Sequence, residues 1–245
     1  MIDNERLSRN AEHFDAIAGD LYDDSIPAHI MRHLTRRRVN VARRAAICGR
    51  VLDVGCGTGR FLGALPADIY QRFGVDLSAG MIRVALIKDS ALQCCVASAT
   101  ALPYADESFD LVFCAAVLHH IADPAAVRRS IEEMIRVTRM GGVTVIWDHN
   151  PWNPYWPLIM HRVPQDTGDE RLIPRHEIVS VLRAVGKIYP IEVHWRNMTF
   201  IPDFAPEQSM PVLVWLEQLL EKIPVIRNLS AHNVAIVRRL SNMTS

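Results

Sequence analysis

The stretch Val51-Leu52-Asp53-Val54-Gly55-Cys56-Gly57-Thr58-Gly59-Arg60 constrains this chain more than any other. Residues of strand character run into a turn with glycine at every second place, and Phe61-Leu62-Gly63-Ala64-Leu65 then reads as helix. Such glycines let the backbone take positive φ and let a ligand lie against bare main chain. A strand–turn–helix unit of this kind forms the nucleotide crevice of a doubly wound sheet. A dinucleotide fingerprint counted from Gly55 needs a third glycine at position 60, where the chain has Arg60. No phosphate-binding lysine follows, so a P-loop is excluded as well.

The next strand, Phe73-Gly74-Val75-Asp76-Leu77-Ser78, ends on a carboxylate about 20 residues on, where a ribose diol is gripped. Leu102-Pro103-Tyr104 then precedes Ser108-Phe109-Asp110-Leu111-Val112. In this order the motifs resemble those of class I S-adenosylmethionine-dependent methyltransferases, in the type 11 branch similar to the ubiquinone and menaquinone biosynthesis methyltransferases. The resemblance covers residues 50–149 and thins on both sides. It implies a Rossmann-like, seven-stranded α/β sheet, mostly parallel with an antiparallel last strand. It also implies S-adenosylmethionine as cofactor, S-adenosylhomocysteine as product and a small-molecule acceptor.

The same resemblance implies site residues. Backbone N–H groups at Gly55, Cys56 and Gly57 meet the methionine moiety, with Asp53 ahead of the turn and Gly59 completing it. Asp76 accepts from both ribose hydroxyls, Leu77 and Met81 pack on adenine, and Ala99 and Ala115 belong to the same set. Ser98 replaces the aspartate common in the family at the adenine amino group. An uncharged acceptor there weakens the hydrogen bond by on the order of 1 kcal/mol. Residues 13–23 resemble an N-terminal flap in which Tyr22 covers the methionyl end; an ordinary surface tyrosine is the alternative.

Methyl transfer from a sulfonium proceeds in line from an already activated leaving group, so alignment and exclusion of water can carry much of the rate. A hydroxyl acceptor additionally needs a base, and histidine suits neutral pH. His119, His120 and His149 fall where strands four and five reach the crevice. His149 and then His120 are the expected catalytic residues, against the alternative of structural hydrogen-bonders at strand ends. The stretch His149-Asn150-Pro151-Trp152-Asn153-Pro154, with Arg162-Val163-Pro164-Gln165-Asp166 and Phe200-Ile201-Pro202, resembles a bacterial subgroup associated with polysaccharide or lipid-linked glycan synthesis. The leading expectation is therefore O-methylation of a small molecule. Carbon methylation of a quinone-type ring and a non-catalytic cofactor-binding subunit are the alternatives.

The 245 residues suffice for a sizeable core, with 49% apolar and 22% charged side chains. Formal charge is zero, so no polyanionic partner is implied and no nucleic-acid ligand is expected. The arginines of residues 27–47 lack interleaved aromatics for base stacking and read as a solvated helix face. The polar N-terminus and the lack of a long apolar run predict neither signal peptide nor membrane span, hence a cytoplasmic protein. Five cysteines without metal or disulfide spacing read as buried free thiols, and no metal is expected.

Periodicity predicts helices over 5–19 and 27–47, then strands at 50–54, 71–75, 92–96, 109–115 and 142–148. Helices at 59–65, 78–90 and 124–139 intervene, the second capped by Ser78, the third by Asp123-Pro124 and closed by Gly141-Gly142. Helix at 174–185, strand at 187–195, an amphipathic helix over 212–223 and a last strand at 232–237 complete the chain. The expected organisation is a flap (1–49), a cofactor core (50–149) and further sheet with acceptor-binding insertions (150–245). Tryptophan and proline concentrate after residue 150, so 150–172 and 200–223, together with the N-terminal flap, are expected to build the acceptor pocket, Trp152 included.

Overall fold

The computed structural model describes residues 4–160 and 164–241; Arg162 and Val163 lie outside the described residues. The N-terminal helices are α1 (Asn4–Ile17), α2 (Asp20–Asp23) and α3 (Ala28–Ala45). There follow β1 (Gly49–Val54), α4 (Arg60–Gly63), β2 (Tyr70–Asp76), α5 (Ala79–Lys88), β3 (Gln93–Val96) and β4 (Phe109–Ala115). The chain continues through α6 (Leu118–Ile121), α7 (Pro124–Val137), β5 (Thr138–His149), α8 (Trp156–Ile159) and α9 (Arg175–Val185). It closes with β6 (Ile191–Met198), α10 (Met210–Leu220) and β7 (His232–Arg239).

The seven strands form one sheet in the order β3-β2-β1-β4-β5-β7-β6. Strands β1 to β5 pair in parallel, and β7 runs antiparallel between β5 and β6. Winding reverses between β1 and β4, and ligands gather outside the carboxyl ends of such a switch point. Alternate residues of each strand bury on opposite faces, as the period of two requires. Leu52, Val112 and Ile146 join one core, and Val51, Phe113, Val145 and Trp147 the other. Full burial of each such side chain stabilises the fold by about 1.5–3 kcal/mol.

The expected caps are present: Ser78 accepts from Met81 N at 3.0 Å and Asp123 from Ala126 N at 2.8 Å. The end of α7 differs from expectation. Thr138 is already extended and gives its hydroxyl to Met134 O at 2.7 Å, so the helix stops before the glycines. Gly141, at φ 76°, instead serves a register shift where β5 meets β4. Strand β6 begins at Ile191, after Pro190, rather than at 187. Of the cysteines, Cys56 and Cys114 are buried, whereas Cys48 is exposed, contrary to expectation.

Helix α3 also departs from a plain solvated face. Arg32, Arg36, Arg43 and Arg44 are exposed, but Arg37 binds Glu217 and Glu221, and Arg38 points into a cavity. Helix α10 carries its apolar stripe outward, with Glu217 buried. No helix among the described residues is long and apolar enough to cross a membrane.

Candidate active site

A cavity of about 520 Å³ lies over the carboxyl ends of β1, β2, β4 and β5, beneath α1, α2 and α3. That size is ordinary for small-molecule sites. Asp53 lines it from β1, Gly55, Cys56 and Gly57 from the glycine turn, Met81 from α5, and Leu77, Ser98, Ala99 and Ala115 from the neighbouring strand ends. Gly55 (φ 74°) could carry no side chain, because a Cβ there would fall 2.3 Å from Val117. A Cβ on Gly57 (φ 52°) would meet the Tyr22 hydroxyl at 3.3 Å. Gly59 is not part of the lining. Its Cβ would strike Leu92 at 2.9 Å and Ala85 at 3.1 Å, so it is required for packing against α5 and not for ligand approach.

Asp76 ends β2 with its carboxylate held by main chain: Oδ2 accepts from Gly57 N at 2.8 Å and Oδ1 from Ser78 N at 3.0 Å. Burial raises its pKa and these N–H groups oppose the rise. A carboxylate has about four lone-pair sites, so acceptor capacity remains. Ser98 Oγ is 2.8 Å from Thr100 Oγ1 and also accepts from Thr100 N, which fixes its rotamer at the cavity wall.

Two carboxylates latch the N-terminal helices over this floor. Asp15 accepts from Ser78 Oγ at 2.5 Å and from Gly80 N at 2.7 Å, tying α1 to the start of α5. Asp23 accepts from Thr58 Oγ1 at 2.8 Å, from Arg60 at 3.0 Å and from Lys88. Tyr22 is thereby buried against the glycine turn, and burial, reinforced by Asp76, pushes its pKa up to about 12.

Arg38 was concealed in the sequence by the arginine run around it. Its guanidinium enters the cavity near Tyr22, Asp53 and Asp148, and Nε has no hydrogen-bond partner. Burial lowers its pKa and raises that of Asp53 well above the carboxylate range, each partly offset by the other. A guanidinium and a carboxyl group thus face the cavity beside the glycine turn, a donor and an acceptor for the carboxylate and ammonium of an amino-acid moiety.

Beyond that pair the cavity is lined by four histidines: His119, His120, His149 and His232. His119 Nδ1 lies 2.6 Å from Asp148 Oδ1, and His149 Nδ1 lies 3.1 Å from the same His119 nitrogen. Interactions with His119 and backbone N–H hold the buried Asp148 below the usual carboxylate range despite desolvation. An ionised carboxylate only accepts, so His119 carries its proton on Nδ1 and donates to Asp148. His149 Nδ1 then faces an N–H, which assigns the proton of neutral His149 to Nε2. His120 Nδ1 is 3.4 Å from Glu170, whose pKa is lowered, so His120 donates there and keeps its lone pair on Nε2.

Burial, with neighbouring His119, lowers the pKa of His120 to about 4, and burial drives that of His149 well below its ordinary value. His232, whose Nδ1 meets Thr199 Oγ1 at 2.5 Å, falls to about 3 by burial and the field of Arg38. His119, Asp148 and His149 bring ligating atoms within 4.8 Å of one another, a spacing that could hold a metal ion. Asp148 is nevertheless occupied, Oδ1 by His119 and His149 N and Oδ2 by Leu118 N, and the group closes as a hydrogen-bonded unit. The sequence placed His119 lowest of its three histidines, yet it is the hub. His232 gave no signal because it arrives from β7, far along the chain.

The remaining wall is aromatic and apolar: Tyr155, Trp156, Met160, Phe200, Ile201 and Phe204. Trp156 lies 3.7 Å from the His149 ring centre, and Tyr155 donates to Asp203. Two expectations fail here. Trp152 is 75% exposed and faces a separate shallow groove, and α10 contributes no lining residue.

The family described as a methyltransferase domain matches residues 52–146. The demethylmenaquinone methyltransferase of Roseiflexus sp. (strain RS-1) is 42% identical over 178 residues, which span 62% of this chain and 70% of that protein. The tRNA (carboxymethyluridine(34)-5-O)-methyltransferase of Arabidopsis thaliana is 36% identical over 96 residues, 39% of this chain and 23% of that protein. The chain spans between about a quarter and 70% of the length of the curated relatives it first matches. Among solved structures, the Haloferax volcanii complex between the Trm112 methyltransferase activator and a methyltransferase superposes with TM-score 0.65 at 22% identity, covering 93% of this chain and 98% of that one. Haemonchus contortus phosphoethanolamine N-methyltransferase 2 in complex with S-adenosyl-L-methionine gives 0.56 at 20% identity, covering 84% and 53%. At those identities the structural likeness shows the fold alone. The sequence relatives carry the assignment: this chain belongs to the class I S-adenosylmethionine-dependent methyltransferases.

Proposed function

We propose that the cavity holds S-adenosylmethionine along the glycine turn and delivers its methyl group to an oxygen of a small acceptor at the histidine end. The observation that carries this reading is one continuous cavity joining Asp76, the Arg38–Asp53 pair and the histidines. In it Asp76 takes the ribose hydroxyls, Leu77, Met81, Ser98, Ala99 and Ala115 receive the adenine side, and Gly55, Cys56 and Gly57 offer bare backbone. Arg38 faces the methionine carboxylate, Asp53 the ammonium, and Tyr22 closes over both. When bound, the cofactor supplies an activated methyl on a sulfonium.

The residues at the far end exclude water and handle the proton. His120, neutral and with a free Nε2, takes it from the acceptor hydroxyl. Its low pKa still suffices, because the hydroxyl becomes strongly acidic as the new bond forms, so transfer can occur late. His149, with its proton on Nε2, donates a hydrogen bond that orients the acceptor. This reverses the order expected from sequence, on the ground of the partners each ring has. The aromatic wall suits the apolar face of a sugar or a lipid-linked intermediate.

A second reading, carbon methylation of a quinone-type ring, draws on the 42% identical demethylmenaquinone methyltransferase and on the same flat wall. S-adenosylhomocysteine formation with hydroxylated sugars and with hydroquinones as acceptors separates the two. Turnover of a sugar that falls at least about a hundredfold in His120→Ala supports oxygen. Turnover of the quinone alone, indifferent to His120, supports carbon.

A further inference from the structure

Helix α10 is packed inside out. Glu217 is fully buried and accepts from His33 Nε2 at 2.8 Å, Arg37 Nη1 at 3.0 Å and Phe200 N at 2.8 Å. Glu221 accepts from the same Arg37 and from Thr199 N at 2.9 Å. Both carboxylates therefore anchor the helix to α3 and to the chain leaving β6. Val212, Trp215, Leu216 and Leu219, at the i, i+3, i+4, i+7 spacing of a core-facing stripe, point away from the protein. They are 66%, 64%, 37% and 44% exposed. Ile223, Val225 and Leu229 continue the apolar surface at 37%, 78% and 48%. A contiguous stripe of this kind marks an interaction face, unlike scattered single residues.

We propose that this face docks on an anionic lipid surface, with α10 lying in the plane of the interface. The charges select the occupant. Over residues 210–230 the only acids are Glu217 and Glu221, both turned inward and paired. The exposed charges of that segment are Lys222 and Arg227. Helix α3, against which α10 is held, contains no acidic residue and exposes Arg36. Apolar and tryptophan side chains flanked by basic ones are what an interfacial helix presents, and anionic headgroups complement the rim. A second copy of the chain would set like charges against each other across a self-complementary interface. Eleven residues cannot span a bilayer, so the helix lies on it. The face also adjoins the cavity: Phe204, 71% exposed, belongs to the cavity wall and to the segment leading into α10.

Flotation of the full-length protein with phosphatidylcholine vesicles, with and without phosphatidylglycerol, tests this. The protein is expected to float with the anionic vesicles and to give a blue-shifted tryptophan emission. Added salt, or Lys222→Glu and Arg227→Glu, is expected to weaken binding by roughly fivefold or more per charge. Trp215→Glu combined with Leu219→Glu is expected to abolish flotation with an unchanged thermal midpoint, which certifies the fold. Failure of the wild type to float with anionic vesicles overturns the proposal, as does flotation indifferent to the double substitution. A dimer by light scattering that the double substitution converts to monomer overturns it in favour of self-association.

Discussion

Asp23 Oδ1 lies 3.0 Å from the Arg60 guanidinium, so the residue that breaks the dinucleotide fingerprint is one that fastens α2 across the glycine turn. Thr58 and Lys88 converge on the same carboxylate and, with Arg60, hold its pKa below the ordinary value despite burial. The flap is thus fixed by charge-assisted hydrogen bonds to the element it covers. Asp23→Ala should release it and weaken S-adenosylhomocysteine binding by about 1–2 kcal/mol, the range for such bonds discounted for partial exposure. Calorimetric titration checks this; an unchanged affinity would mean that Tyr22 contributes nothing as a cover.

The tautomers assigned to the histidines give a kinetic contrast. His120→Ala should lower kcat by roughly 10²–10⁴-fold with an oxygen acceptor. His149→Ala should chiefly raise KM, since in the proposed arrangement it removes an orienting donor and not the base. Steady-state kinetics of the two variants distinguish these roles. Equal and small effects on kcat would show that alignment alone drives the transfer.

The depressed histidine pKa values set the pH response. With burial lowering the His120 pKa to about 4, the proposed base is unprotonated throughout neutral pH, so kcat/KM should be flat from pH 6 to 8. It should fall only as acid protonates the imidazole. Stability has a related window. Between the ordinary value of 6.5 and about 4 the unfolded chain binds a proton at His120 that the folded protein refuses. Stability should therefore decline as pH drops through that range, by up to about 3 kcal/mol from this group. His232 acts in the same direction down to about 3. Urea unfolding at pH 7 and pH 4.5 measures it.

Much of the fold was legible because periodicity, caps and glycine spacing agreed from β1 to β5. What stayed hidden depended on contacts between distant segments. The stripe in α10 is plain in sequence, but periodicity does not say which face is inward; the Glu217 contacts with His33 and Arg37 decide that. Arg38 is chemically identical to the exposed arginines of the same helix and is singled out only by helical phase. Gly59 shares its motif with Gly55 and Gly57, yet it lies off the cavity and packs against Leu92 and Ala85. Trp152 follows the same logic: its composition suggested a binding loop, while the turn at Asn150 directs it outward.

That contrast yields a paired substitution. Trp156→Ala, beside His149, should change acceptor kinetics by tenfold or more, on the scale of about 1.5–3 kcal/mol for a large apolar side chain that an acceptor would cover. Trp152→Ala should leave both acceptor and cofactor parameters within about twofold, as expected of an exposed position. Parallel initial-rate measurements on the two variants decide it.

In the proposed mode of binding, the Asp76 end of the cavity holds the cofactor's ribose. Calorimetric titration of the wild type and of Asp76→Ala with S-adenosylhomocysteine, and separately with NAD, tests it most directly. The expected result is one-to-one binding of S-adenosylhomocysteine by the wild type, a loss of about 1.5–3 kcal/mol in the variant, and no response to NAD. Undiminished affinity in Asp76→Ala, or binding of NAD in place of S-adenosylhomocysteine, would contradict it.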